Sequence, residues 1–218
     1  MIGKLKMKRN LLYSVILASI PSLSFATVGG PETIEILGAD TPDQKIYFLR
    51  HYHDQSGRLP TLYYFKLNTH TPHMPVEVTS IYPKMDSTNF KSASRKTLRE
   101  ITKIKKRLIP VNELPIKHSQ FKVLKQSTST GNFWVNVPEE KVKKQLTRYE
   151  IQNLWKKTRY NSNIGVLTSY LQKPIKIIKI IQSPDVMKPS QIAIVQYLGI
   201  PTETGYFKED AVLLSAVK

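Results

Sequence analysis

The chain has 218 residues and no cysteine, and its 33 lysines and arginines against 16 acidic residues give a net charge of +17. The missing cysteines exclude disulfides, thiol nucleophiles, thiolate metal sites and the lipid-bearing cysteine of a bacterial lipoprotein. A field of this sign attracts polyanions, and the expected partners are an anionic envelope polymer or lipid headgroups rather than nucleic acid.

The first element is an export signal. Lys4, Lys6, Lys8 and Arg9 precede an apolar run from Leu11 to Ile20 that no acidic residue interrupts, and Pro21 breaks it. Ser24 and Ala26 then supply small residues at the two positions a signal peptidase reads, so residues 1–26 are expected to be removed, leaving Thr27 first. The alternative, a membrane anchor, is opposed by length: ten residues of helix span about 15 Å against a hydrocarbon core of about 30 Å. If synthesis starts at Met7, the product is unchanged. The expected destination is the periplasm or the extracellular space.

Residues 27–218 read as a single β-rich globular domain. The first 26 residues hold four positive charges and no negative one, so the domain carries +13. No second apolar run approaches membrane-spanning length. The expected fold class is α+β, a predominantly antiparallel β-sheet with one basic amphipathic helix packed on it.

In chain order, Thr33 to Leu37, Lys45 to Tyr52, Thr61 to Leu67 and Pro75 to Tyr82 are rich in β-branched and aromatic residues and separated by turn formers, which predicts an antiparallel meander. Tyr47, Phe48, Tyr52, Tyr63, Tyr64 and Phe65 alternate along two of these strands and are expected to pack across them. Ser92 or Ser94 then caps a predicted helix whose apolar residues Leu98, Ile101, Ile104 and Leu108 recur at helical spacing and turn toward the sheet, until Pro110 stops it. Strands are predicted at Gln120 to Gln126, Asn132 to Val137, Arg148 to Trp155, Asn163 to Leu171, Ile175 to Ile181, Gln191 to Leu198 and Ala211 to Val217. A short helical turn is expected at Pro138 to Glu140. The run IKIIKII over Ile175 to Ile181 would promote aggregation if exposed, so it is expected to be a central strand.

Two constellations carry chemistry. The predicted helix places Arg95, Lys96, Arg99, Lys103 and Lys106 on its outer side, a cationic stripe suited to an anionic surface. The charge is concentrated here, with twelve basic residues between Lys84 and Lys125 against Asp86, Glu100 and Glu113. A second basic cluster comprises Lys141, Lys143, Lys144, Arg148, Lys156, Lys157 and Arg159. The other constellation is histidine. His51, His53, His70 and His73 lie within 23 residues; the first two share a strand face about 7 Å apart, Asp54 offers an oxygen, and such a group can chelate Zn²⁺ or Cu²⁺.

Phosphate loops, dinucleotide fingerprints, GxSxG elbows and HExxH helices are absent. Two Ser-x-x-Lys pairs, Ser119 with Lys122 and Ser215 with Lys218, lack the partner motifs of penicillin-binding enzymes. The expected function is therefore a non-enzymatic binding protein of the envelope or extracellular space. The alternatives are a structural subunit of an envelope assembly and a metal-dependent enzyme using the histidines.

Overall fold

In the computed structural model, residues 30–54, 56–67, 74–84, 89–132, 141–170, 172–200 and 205–217 are described. The expected signal segment, His70, His73 and the Pro138 to Glu140 turn lie outside them.

Among the described residues, twelve strands and one α-helix follow in the order β1 (Glu32–Asp40), β2 (Lys45–Tyr52), β3 (Thr61–Lys66), β4 (Val76–Glu77), α1 (Phe90–Arg107), β5 (Asn112–Leu114), β6 (Ser119–Asn132), β7 (Lys141–Trp155), β8 (Thr158–Ser162), β9 (Gly165–Tyr170), β10 (Lys176–Gln182), β11 (Ser190–Ile200) and β12 (Tyr206–Ala216). The main path of the sheet runs β4-β3-β2-β1-β12-β11-β10-β5. Every pairing is antiparallel except that of β1 with β12, which meet in parallel at Glu32 and Lys208. The far end of β12, Leu214 to Ala216, pairs with β8, and through β8 the four strands β6 to β9 branch away as a second layer.

This branching buries β11 on both faces, and β12 at Leu213 and Leu214. Ile192, Ile194 and Leu213 pack against Ile46, Phe48 and Phe65, while the alternate residues Ala193, Val195 and Leu214 pack against Tyr149, Ile151, Tyr160 and Leu167 of the second layer. A strand covered on both sides has no solvent face to carry polar residues, which is why Ile192 to Val195 read as an unbroken apolar run. β2 is buried on both faces for a different reason. Its Tyr47 and Leu49 join Leu62 under Ile101 of α1, with Ile104 and Leu108 completing the contact.

The helix begins at Asn89, whose backbone carbonyl accepts from Ser92 and Ala93 N–H. Ser92 therefore lies inside the first turn, where its hydroxyl donates to Asn89 O, and neither expected serine is the cap. The sheet-facing stripe is also displaced. Ala93, Thr97 and Ile101 are buried and Ile104 and Leu108 half-buried, whereas Leu98 is 45% exposed. Thr97 wins the position because its hydroxyl is satisfied by Ile81 O at 3.1 Å, so a small residue with a bonded oxygen fits where a leucine was expected.

At the other end of α1 the chain bonds back to β1: Ala39 N–H donates to Ile109 O and Ile109 N–H to Ala39 O, each at 2.9 Å. A β-bulge at Gly38 makes this approach possible. Its φ is +140°, and a Cβ there would stand 2.6 Å from Ile109 O, so only glycine fits.

Other boundaries moved. β4 keeps two residues of the expected Pro75 to Tyr82 strand; β7 starts seven residues before Arg148; and β5 and β8 were not foreseen. Of the expected strand at Asn132 to Val137, Asn132 ends β6 and the rest lies outside the described residues. β10 is only partly central, since β5 covers it along Ile180 to Gln182 alone.

Candidate functional site

The cations of α1 divide into two groups. Near its C-terminus, Lys105 Nζ donates to Glu35 Oε1 at 2.8 Å and Arg107 pairs with Asp40 at 3.2 Å, so both are turned toward carboxylates of β1 and hold the helix on the sheet. Arg95, Lys96, Arg99 and Lys106 have no carboxylate partner among the described residues, and Lys103 pairs with Glu100 within the helix at 2.8 Å. Arg95, Arg99, Lys103 and Lys106 line an open groove of about 460 Å³ with Leu98 and Thr102 between them. Lys96 borders the adjoining hollow with Ser92, Arg99, Glu100 and Lys103. All five residues expected to form the cationic stripe are exposed.

The exposure of Leu98 changes the character of this face: an aliphatic side chain sits among guanidinium and ammonium groups instead of in the core. A better reading of the sequence was available. Ala93 and Thr97 precede Ile101 at intervals of four, and small residues on that line mark the side a helix presses to a sheet.

His51 and His53 do share one strand face, with ring centroids 6.3 Å apart and nearly parallel planes. Each already has a neighbour on β1. His51 Nε2 lies 3.0 Å from Glu35 Oε2 and His53 Nε2 lies 2.9 Å from Thr33 Oγ1. An ionised carboxylate only accepts, so His51 Nε2 is the donor in its contact, and its lone pair is not available there to a metal. Asp54 is turned to Ser56 and Arg58, which hold its carboxyl below the ordinary value, the Ser56 hydroxyl first. No group of three metal-ligating side chains forms among the described residues. Glu35 nevertheless joins the two constellations, since His51 and Lys105 bind its two oxygens. The Lys105 hydrogen bond lowers its pKa, burial opposes this, and His51 adds to the lowering.

Distant residues build a third feature that the sequence did not disclose. Arg50 on β2 donates to Glu32 on β1 at 3.0 Å and to Asp210 on β12; Lys208 reaches the other oxygen of Glu32 at 2.7 Å; and Tyr197 OH donates to Asp210 at 2.7 Å. Burial disfavours the Arg50 charge, but the two carboxylates outweigh it and raise its pKa. Arg50 and Asp210 form part of a cleft of about 440 Å³ that Phe48 and Tyr149 also line and whose rim includes the exposed side chains of Met74, Ile164 and Val166. Among the described residues that line it, the charged groups are bound to one another, leaving an apolar wall and no unpaired acid or base.

The aromatic residues pack as expected. Phe48 contacts Tyr63 and Phe65, with centroids 5.5 and 5.3 Å away, while Tyr47 meets Tyr64 at 5.6 Å on the helix side. Both faces of the β2–β3 pair are thus occupied. Ser119 donates to Asn153 Oδ1 rather than to Lys122. No helix among the described residues is long and apolar enough to cross a membrane. Comparison of the chain with known protein families, curated proteins and solved structures finds no match to any of them.

Proposed function

We propose that the chain is an exported, non-enzymatic binding protein that rests the outer face of α1 on a phosphate-bearing anionic surface of the cell envelope. The observation that carries this reading is the groove in which Arg95, Arg99, Lys103 and Lys106 surround the exposed Leu98. Arginine forks and lysine ammonium groups meet phosphate oxygens, and the leucine between them has an apolar layer to enter just beneath the headgroups. Each cation near an anionic membrane contributes about 1 kcal/mol, and burying a leucine about 1.5–3 kcal/mol. Four or five such cations and the leucine together give about 5.5–8 kcal/mol, a dissociation constant between about 0.1 mM and 1 μM and a reversible attachment.

Co-sedimentation with vesicles tests it. The domain should bind phosphatidylglycerol-containing vesicles at low salt, ignore phosphatidylcholine, and be released as salt shortens the Debye length from about 30 to about 3 Å. Replacing Lys96, Arg99, Lys103 and Lys106 by Gln should weaken binding at least tenfold without loss of fold. Wild-type protein that ignores anionic vesicles at low salt contradicts the proposal.

A second reading, a structural subunit of an envelope assembly, is favoured by β6. Its 14 residues pair only with β7 among the described residues, and from Gln126 to Asn132 no charge or proline guards its other edge. Sedimentation velocity that shows a monomer at high concentration, unchanged by Ser127→Lys, excludes self-assembly through this edge.

A further inference from the structure

The outer face of the second layer holds a different cationic surface, built across three strands instead of along a helix. Register fixes it. Lys125 of β6 stands directly opposite Arg148 of β7, and Arg148 opposite Val166 of β9. Two residues along, Ser127, Leu146 and Thr168 form the next row; two further, Ser129, Lys144 and Tyr170 form the last. Arg148, Leu146 and Lys144 are exposed, while the intervening Thr147 and Tyr149 are buried, so these rows point away from the core.

Directly opposite residues on neighbouring strands have Cβ atoms about 5 Å apart, and like charges so placed repel. Lys125 and Arg148 do this with no ion pair among the described residues to relieve them. The nearest acid on the face, Glu150, accepts instead from Gln152 and Asn161, each at 3.2 Å. Lys144 lies four residues from Arg148, about 13 Å along an extended strand. Between the two cationic ends are the hydroxyls of Ser127 and Thr168 and the aliphatic Leu146, with the Ser129 hydroxyl beside Lys144.

We infer that this face binds a linear anionic polysaccharide lying along β7, one acidic group seated between Lys125 and Arg148 and a later one at Lys144. The array suits a chain better than a headgroup layer, because its cations are spaced along a strand and hydroxyls fill the gap. Those hydroxyls match sugar hydroxyls in hydrogen-bonding capacity, and Leu146 meets the apolar face of a sugar ring. Single-stranded nucleic acid is the poorer fit: successive bases need successive aromatic platforms, and among the described residues these rows hold one ring, Tyr170, at their corner. The surface shares no residue with the α1 groove, so the two can be tested separately.

The test measures binding of polygalacturonate, single-stranded DNA and phosphatidylglycerol vesicles to the residue 27–218 protein at low salt. Lys125→Gln, Lys144→Gln and Arg148→Gln together should weaken polygalacturonate binding at least tenfold and leave vesicle binding within twofold. The α1 quadruple variant should do the reverse. Lys125→Glu alone should raise the melting temperature, by converting a repulsive pair into an attractive one, and weaken polygalacturonate binding. Unchanged polygalacturonate binding in the triple variant overturns the inference. So does tighter binding of DNA than of polygalacturonate through the same three residues, or equal losses of all ligands in both variants.

Discussion

Arg50 shows how a single residue ties together parts of the chain that sequence keeps apart. Its carboxylate partners lie 18 and 160 positions away, and together they clasp β1 and β12 where the two strands share a single parallel pair. Arg50→Met removes the cation and leaves Glu32 and Asp210 facing each other in a half-buried site, a loss on the order of 3 kcal/mol that urea denaturation should show. A chain of buried amides does comparable work in the other core. Ser119 donates to Asn153, Asn153 to Gln191 at 2.7 Å, and Gln191 to Gln182 at 2.9 Å, with Gln191 wholly buried. Gln191→Leu strands polar atoms of both Asn153 and Gln182, and the same measurement should give a loss of about 2 kcal/mol. Neither network was legible in the sequence, because a polar residue inside an apolar strand does not announce its partner and pairing across 38 or 160 positions depends on strand order. The aromatic pairs of β2 and β3 were legible, since the two strands are neighbours in sequence and alternation sets which rings meet.

At the level of elements, α1 divides its surface differently from the apolar periodicity of the chain, and stability measurements separate the two versions. Ile101→Ala should cost about 2–5 kcal/mol, the range for a buried aliphatic side chain, while Leu98→Ala should stay within about 0.5 kcal/mol. Equal losses would restore the stripe expected from sequence. Acid should loosen the same helix. The pKa of Glu35 is lowered in the folded state by Lys105, so its contribution is fully present above the unfolded value of about 4.5 and disappears as pH falls through the lower folded value. The acid side of the stability profile should therefore flatten in Glu35→Gln, and an unchanged profile would mean that the Lys105 contact adds nothing. The strands that periodicity located best, β2, β3 and β10, are compact runs bounded by turn residues. β5 and β8 escaped notice because three to five residues held chiefly by tertiary pairing carry too little pattern of their own, and β7 seemed short because its first half turns the polar Gln145 and Thr147 inward and Leu146 outward.

For the whole molecule, the excess positive charge is unevenly employed. Arg50, Lys105, Arg107 and Lys208 meet carboxylates and tie β1 to β2 and β12 or hold the helix down, whereas the cations around Leu98 and those opposed across β6 and β7 face solvent. The excess itself was plain from composition but this division was not, because a lysine that anchors and a lysine that faces solvent look alike in sequence. The proposed docking through α1 is open to direct measurement because the sequence has no cysteine. A Leu98→Cys variant carries a single thiol, so an environment-sensitive fluorophore attached to it reports on that face alone, and the same label at Val186→Cys, on a turn residue that is 70% exposed, serves as the control. On phosphatidylglycerol vesicles the label at position 98 should shift to shorter wavelength while that at 186 does not, and neither should respond to phosphatidylcholine. Protein that sediments with the anionic vesicles while the label at 98 still emits as in water would contradict the account.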